Sequence, residues 1–106
     1  MGVTYTGMYE PVDKIAKVLD GIQEKTGLDI QIHVDAASGG MIAPFLQPDN
    51  VWDFRLERAA SINTSGHKYG LVYPGLGWVV WRDCQSLPDS LIFKVSYLGE
   101  RCRRSL

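Results

Sequence analysis

Two side chains of this sequence combine reactive chemistry with an unusual setting: Lys68, in the stretch SGHKYG, and Asp35, in the stretch HVDAASGG. A surface lysine usually has charged neighbours, whereas Lys68 is flanked by small, aromatic and apolar residues. Asp35 follows the alternating run IQIHV and precedes small residues, which leave room for a ligand beside the carboxylate. Such an amine and carboxylate form either an ion pair or the two anchors of a bound aldehyde cofactor.

The cofactor interpretation assigns a role to each group. An accessible lysine amine forms Schiff bases with carbonyl compounds, and pyridoxal phosphate needs such a lysine plus an acid partner for its pyridine nitrogen. Lys68 and Asp35 suit these roles if their segments are near neighbours, and Ser65 and His67 could then donate hydrogen bonds to the phosphate. Position alone leaves Asp35 open to a plainer role as a turn residue or helix cap.

Two other kinds of site use the same residues but fit them less well. A hydrolase triad of Ser65, His67 and Asp35 lacks the G-x-S-x-G elbow, and its serine lies only two residues from its histidine. A metal site at His33, Asp35 and His67 lacks a third convincing ligand, so no metal is expected. His33 fits better as a packed, hydrogen-bonded residue beside the site.

The elements that must position these residues follow an α/β rhythm. Apolar residues at helical spacing predict a helix over 11–26, which Gly27 would end. Alternation predicts a strand over 28–36, directly after the helix. Further strands are predicted over 59–65, 77–83 and 91–98. Asp35 and Lys68 would then follow the ends of two strands, where ligands bind in open α/β sheets.

Bulk properties limit the class of protein. A chain of 106 residues forms one domain at most, and its net charge of −1 argues against nucleic acid or an anionic membrane as the main partner. No apolar run is long enough to span a membrane. The two cysteines form neither a metal spacing nor a disulfide framework, which favours a reduced, cytoplasmic protein. At least four strands with one long helix predict a slice from the middle of a larger α/β domain.

Longer motifs extend this interpretation. The stretches HVDAASGG, PFLQPDNVWDFRL, SINTSGHKYGLVYPGLGWVVWRD and LIFKVSYLG resemble glutamate decarboxylases, which are pyridoxal-phosphate enzymes, over about residues 3–99. The resemblance implies that residues 1–99 are the central part of the large cofactor-binding domain of a fold-type I enzyme, with a mostly parallel sheet. Residues 100–106, ERCRRSL, depart from the family and are expected to form a disordered tail.

The resemblance also implies residue roles. Lys68 corresponds to the lysine that carries pyridoxal phosphate, and Asp35 to the acid paired with its pyridine nitrogen. Ala37 corresponds to a residue against the face of the ring. His67 and Ser65 correspond to residues that hold the phosphate.

Beyond these positions, Thr4 corresponds to a threonine near the cofactor ring. The implied reaction is decarboxylation of L-glutamate to 4-aminobutyrate and CO₂, in a full-length form that is a homo-oligomer. Upstream phosphate and substrate contacts and the C-terminal small domain of the family have no counterpart here, so the isolated chain is expected to be inactive. The alternatives are a related pyridoxal-phosphate decarboxylase or lyase with another amino-acid substrate, or a non-catalytic remnant.

Overall fold

The computed structural model describes residues 1–92, which build a three-stranded mixed sheet with one long helix. The strands β1 (Ile32–Asp35), β2 (Ala59–Ser65) and β3 (Gly77–Trp81) lie in the order β1-β2-β3. Helix α1 (Val12–Thr26) precedes β1, and the short helix α2 (Ala43–Leu46) lies between β1 and β2.

Helix α1 confirms the predicted helix, shortened by one residue at its start. Pro11 precedes the helix as its cap residue, and Gly27 ends it with a φ of 75°, a left-handed angle that favours glycine. Val12 and Ala16 are buried as the apolar pattern predicts. Ile15, which was predicted on the same face, is 44% exposed, so the buried stripe of the helix is narrower than expected.

The strands that carry the site agree with the sequence pattern in different degrees. Strand β2 has the predicted bounds, whereas β1 is limited to Ile32–Asp35. Ile30, which continues the alternation, lies outside β1 and is 42% exposed; its carbonyl accepts a hydrogen bond from the Arg58 side chain, 3.0 Å away. Strand β3 ends at Trp81, two residues before its predicted end.

Strand directions within residues 1–92 do not confirm the expected mostly parallel sheet. Strands β1 and β2 are parallel, but β2 and β3 are antiparallel, so the described sheet is mixed. Hydrophobic alternation reports which residues share a face and carries no information on strand direction. The predicted strand over 91–98 falls mainly outside the described residues, and Leu91 ends a 3₁₀ turn, Asp89–Leu91. The predicted tail, 100–106, also lies outside them.

The core is small and lies on the face of the sheet that packs α1 and the segment around α2. It contains eight buried apolar residues: Met1, Val12, Val34, Ala36, Ala43, Trp52, Ala59 and Ile62. Strand β3 contributes little to it, since Val79 and Val80, which point to opposite faces, are 54% and 51% exposed. Residues 1–92 therefore cover the apolar surface of β3 only in part.

A buried arginine joins α1 to the sheet. The Arg58 side chain is only 8% exposed and lies 2.5 Å from the Asp20 carboxylate and 3.1 Å from that of Asp29. It also donates to Gln23 of α1 and to the carbonyl of Ile30. Because Arg58 immediately precedes β2, these contacts set the position of the helix against the start of the strands.

Candidate active site

Strands β1 and β2 are parallel, so Asp35 and Ser65 end them at the same edge of the sheet. The loops that follow meet there, since the Ser65 amide donates to the Ala37 carbonyl, 3.3 Å away. The loop before β3 returns to this edge, where the Gly66 amide donates to the Leu76 carbonyl at 3.0 Å. The carboxyl edge of β1 and β2 therefore collects the predicted cofactor-binding residues other than Thr4.

Asp35 is exposed and its carboxylate is held by its own loop. The Ala37 amide donates to Oδ1 of Asp35 at 3.0 Å. This hydrogen bond lowers the pKa of Asp35 below its ordinary value; burial opposes it, while a hydrogen bond from Asn63 and the charge of Lys68 add to it. Asp35 is thus a turn residue, as its position allowed, and also an ionised group directed to the carboxyl edge.

Lys68 lies in the turn over 66–70 that follows β2, and two glycines give this turn its shape. A Cβ on Gly70 would lie 2.5 Å from the Gly66 carbonyl oxygen, and one on Gly66 would lie 2.9 Å from the Val72 side chain. The chain can close this tightly only without side chains at both positions. The turn leaves Lys68 exposed, close enough to Asp35 for its charge to lower the pKa of that carboxyl.

His67 and Ser65 flank the same turn. Nδ1 of His67 lies 3.2 Å from the Leu76 carbonyl oxygen. Because a carbonyl only accepts, this contact places the proton on Nδ1 and leaves Nε2 of a neutral ring as an acceptor. A phosphate needs donors, so His67 suits that ligand best through Nε2–H of its protonated form. Ser65 is half-buried at the end of β2.

The N-terminal segment reaches the loop after β1. The amino group of Met1 donates to the Asp35 carbonyl oxygen at 2.6 Å, and the Gly39 amide donates to the Met1 carbonyl at 3.1 Å. Thr4 follows in an exposed turn of this segment. The structure thus brings the segment of Thr4 to the site, while no contact joins its side chain to Asp35 or Lys68.

A groove of about 690 Å³ lies along the sheet away from this edge. It is lined by His33, Ser61, Trp81 and Arg82, and does not include Asp35 or Lys68. Nδ1 of His33 lies 2.8 Å from Oγ of Ser61, so His33 is hydrogen-bonded as expected, although it is exposed rather than packed. Within residues 1–92, no three His, Cys, Asp or Glu side chains are arranged to hold a metal ion.

The edge residues fit a pyridoxal-type cofactor in their chemistry. An ionised carboxylate suits a protonated ring nitrogen, and an exposed amine suits an aldehyde. The residues after Asp35 are small or half-buried, and Ala36 is fully buried, so no large side chain covers the carboxylate from its own loop. The chemistry of these residues is therefore compatible with a pyridoxal-type cofactor.

One residue of the site was missed in the sequence. Asn63 is the register partner of Asp35 on β2, and its Oδ1 accepts a hydrogen bond from the Ala36 amide at 3.1 Å. The alternation Ser61, Asn63, Ser65 in SINTS places three polar side chains on one face of β2. That pattern was the available signal for a polar residue beside Asp35.

Comparison of the sequence with models of known protein families assigns the chain to one of them. Residues 1–104 match the family model described as the pyridoxal-dependent decarboxylase conserved domain. The chain therefore belongs to the pyridoxal-dependent decarboxylase family, whose cofactor is pyridoxal phosphate.

In residues 1–92, no helix has the length and apolarity needed to cross a membrane.

Relatives and a solved structure narrow the resemblance within that family. The chain is 59% identical over 99 residues to a glutamate decarboxylase of Lactococcus lactis subsp. cremoris, and 60% identical over 99 residues to one of Aliivibrio fischeri. Each alignment covers 93% of this chain and 21% of the relative. The solved glutamate decarboxylase of Lactobacillus brevis superposes with a TM-score of 0.87 at 57% identity, covering 93% of this chain and 22% of that one. The chain thus spans about a fifth of the length of the relatives it matches.

Proposed function

We propose that this chain supplies the cofactor-binding lysine and acid of a glutamate decarboxylase, which converts L-glutamate to 4-aminobutyrate and CO₂. The observation that carries the proposal is that the loops of Asp35 and Lys68 lie at one edge of the sheet, where the Ala37 amide and, to a smaller extent, the charge of Lys68 lower the pKa of the Asp35 carboxyl. The substrate is taken from relatives that are glutamate decarboxylases at 59–60% identity.

Each residue has a defined task in this proposal. Pyridoxal phosphate, when bound, supplies a ring that takes up the electron pair of the bond being broken. Lys68 anchors the cofactor covalently through Nζ. The Asp35 carboxylate accepts a hydrogen bond from the ring nitrogen and keeps a proton on it. By the resemblance, Ala37 would lie against the ring face and Thr4 near the ring.

The phosphate is proposed to lie near Ser65 and His67. The Ser65 hydroxyl and Nε2–H of a protonated His67 would donate to its oxygens. In the overall reaction the bond between the α-carbon and its carboxylate breaks, CO₂ leaves, and a proton takes its place on the α-carbon.

The proposal extends to the whole protein. We propose that residues 1–99 are the central part of the large domain of a fold-type I enzyme, supported by the parallel β1–β2 pair. We also propose that the full-length form is a homo-oligomer and that it works in the cytoplasm, which agrees with a sequence poor in cysteine. The isolated chain should not decarboxylate glutamate, because it spans only about a fifth of the length of the glutamate decarboxylases that it matches.

Reductive trapping tests the assignment of Lys68. The purified chain is mixed with pyridoxal phosphate and reduced with borohydride, and the labelled peptides are mapped. Lys68 should carry most of the label. The variant Lys68→Arg keeps the positive charge but cannot form the covalent bond, so the label at this peptide should disappear.

The other lysines provide an internal control. Lys14, Lys17 and Lys25 are exposed on α1, outside the turn that follows β2. Label spread evenly over these lysines and Lys68 would sink the proposed cofactor site. Release of 4-aminobutyrate from glutamate by the purified chain would refute the expected inactivity.

A further inference from the structure

Asn63 connects the ends of the two parallel strands at the proposed site. It pairs with Asp35 in the β1–β2 register, and its side chain is half-buried. The Ala36 amide donates to both the backbone carbonyl oxygen and the side-chain Oδ1 of Asn63, each 3.1 Å away. The side chain therefore repeats and reinforces a hydrogen bond that the backbone already makes.

These contacts fix the orientation of the Asn63 amide. The Ala36 amide is a donor, so the atom facing it must be the oxygen, and the NH₂ group must point the other way. The Asn63 side chain lies beside Asp35, its register partner on β1, and after the Ala37 amide it is a further hydrogen-bonding group that lowers the pKa of that carboxyl. An asparagine suits this position because it accepts on one side and donates on the other.

We propose that Asn63 is a positioning residue, which holds the Asp35 carboxylate in the orientation needed to meet the cofactor's ring nitrogen. This inference rests on the proposed function, since it gives Asn63 its purpose. The Ala37 amide fixes one carboxylate oxygen from the loop, and the Asn63 amide, placed beside Asp35 by the strand register, would add a second restraint from β2. Two restraints from different segments prevent rotation of the carboxylate, which one restraint alone allows.

Other charges also face Asp35 and must be kept constant in a test. Lys68 approaches from the turn after β2, and the amino group of Met1 from the N-terminal segment. The Met1 amino group is itself paired with the Glu10 carboxylate at 2.8 Å. Substitutions at Asn63 leave all three groups in place, so a changed titration of Asp35 reports the lost amide in Asn63→Leu, and the lost amide together with an added charge in Asn63→Asp.

Two substitutions separate the donor from the rest of the side chain. Asn63→Asp keeps the shape and the acceptor for the Ala36 amide but removes the donor to Asp35, whereas Asn63→Leu removes both. The matched control is Gln31→Leu, since Gln31 Nε2 donates to both oxygens of Asp29 at 3.0 Å on the exposed surface. It removes an amide–carboxylate contact of the same kind away from the site.

The readout is the titration of Asp35 in the full chain without cofactor, followed by NMR of isotope-labelled carboxyl carbons. The pKa of Asp35 should move upward in both Asn63 variants, and more in Asn63→Asp because a like charge is added. It should stay unchanged in Gln31→Leu. An unchanged Asp35 titration in both Asn63 variants would overturn the inference.

A second measurement keeps the test independent of chain solubility at NMR concentrations. Pyridoxal phosphate is titrated into dilute protein and trapped with borohydride, and the concentration for half-maximal labelling of Lys68 is compared. It should rise in Asn63→Leu and not in Gln31→Leu; equal values in both variants would count against positioning. Failure of the native chain to label Lys68 would instead refute the proposed function, while an upward shift of the Asp35 titration would still confirm the contact.

Discussion

Removing the buried charge of Arg58 should loosen the attachment of α1 to the sheet. The substitution Arg58→Met keeps most of the apolar stem and deletes the guanidinium. That group contacts the carboxylates of Asp20 and Asp29, the Gln23 side chain and the Ile30 carbonyl. All four partners come from α1 or the loop before β1, so one side chain holds together segments that are 28 to 38 residues away in sequence.

The stability lost in Arg58→Met can be estimated from the solvent exposure of the groups that Arg58 contacts. The Asp20 and Asp29 side chains are 57% and 56% exposed, so water replaces the lost ion pair at each, for a loss of up to about 1 kcal/mol apiece. The hydrogen bonds to Gln23 and Ile30 contribute about 1 kcal/mol each. Water then hydrates the freed acceptors, which offsets part of the summed loss. The free energy of unfolding should therefore fall by a net amount of about 2 kcal/mol.

Urea unfolding followed by far-UV circular dichroism reports this loss through the signal of α1. With a urea dependence of about 1–2 kcal/mol per molar, the midpoint should fall by about 1–2 M. The control is Lys17→Met, which removes a positive charge from the exposed surface of α1 and should change the midpoint little. Equal midpoints for Arg58→Met and Lys17→Met would refute the reasoning that burial makes Arg58 important.

Three further predictions concern the turn, the carboxylates and the exposed strand. Gly70→Ala should force open the turn over 66–70 and so abolish borohydride trapping of pyridoxal phosphate at Lys68; unchanged trapping would contradict the need for glycine there. The control is Gly21→Ala, in open space on α1, which should leave trapping intact and raise the free energy of unfolding by up to about 1 kcal/mol. The Asp35 carboxylate, whose pKa is lowered in the folded chain, adds to the free energy of unfolding above its ordinary pKa of 3.8, and this contribution is lost as pH falls through the lowered pKa. Asp35→Asn should therefore flatten that part of the acid-unfolding curve. An unaltered curve would argue against a stabilising role of the carboxylate. Val79→Lys should reduce self-association in sedimentation experiments by placing charge on β3, while Glu57→Lys should not, and equal association of both variants would exclude β3 as the contact.

The proximity of Asp35 and Lys68 could be predicted because it depends on local signals. Each follows a short strand with clear alternation, and two neighbouring parallel strands bring their carboxyl ends to one edge. The glycines around Lys68 also signal a tight turn without knowledge of the rest of the fold. The resemblance to glutamate decarboxylases then assigned the chemistry of that edge.

The features that escaped prediction depend on contacts between distant segments. The antiparallel direction of β3 follows from the path of the loop over 66–76, and the residues of β3 do not encode it. Arg58 looks like a surface charge in sequence, since its acidic partners lie on α1 and the loop before β1. Asn63 gains its role only when β1 and β2 pair in the observed register.

The two proposed anchors of the cofactor differ in how tightly the fold holds them, and this difference suits their tasks. Asp35 is restrained by the Ala37 amide at 3.0 Å, which would suit a lasting partner for a ring nitrogen. Lys68 is an exposed side chain on a glycine-shaped turn. In the proposed function Lys68 would hold the cofactor only between turnovers, so freedom at Nζ would suit its task. A fixed acid and a free amine at one edge of a sheet are therefore what this chemistry needs, and a tight ion pair between them would oppose it.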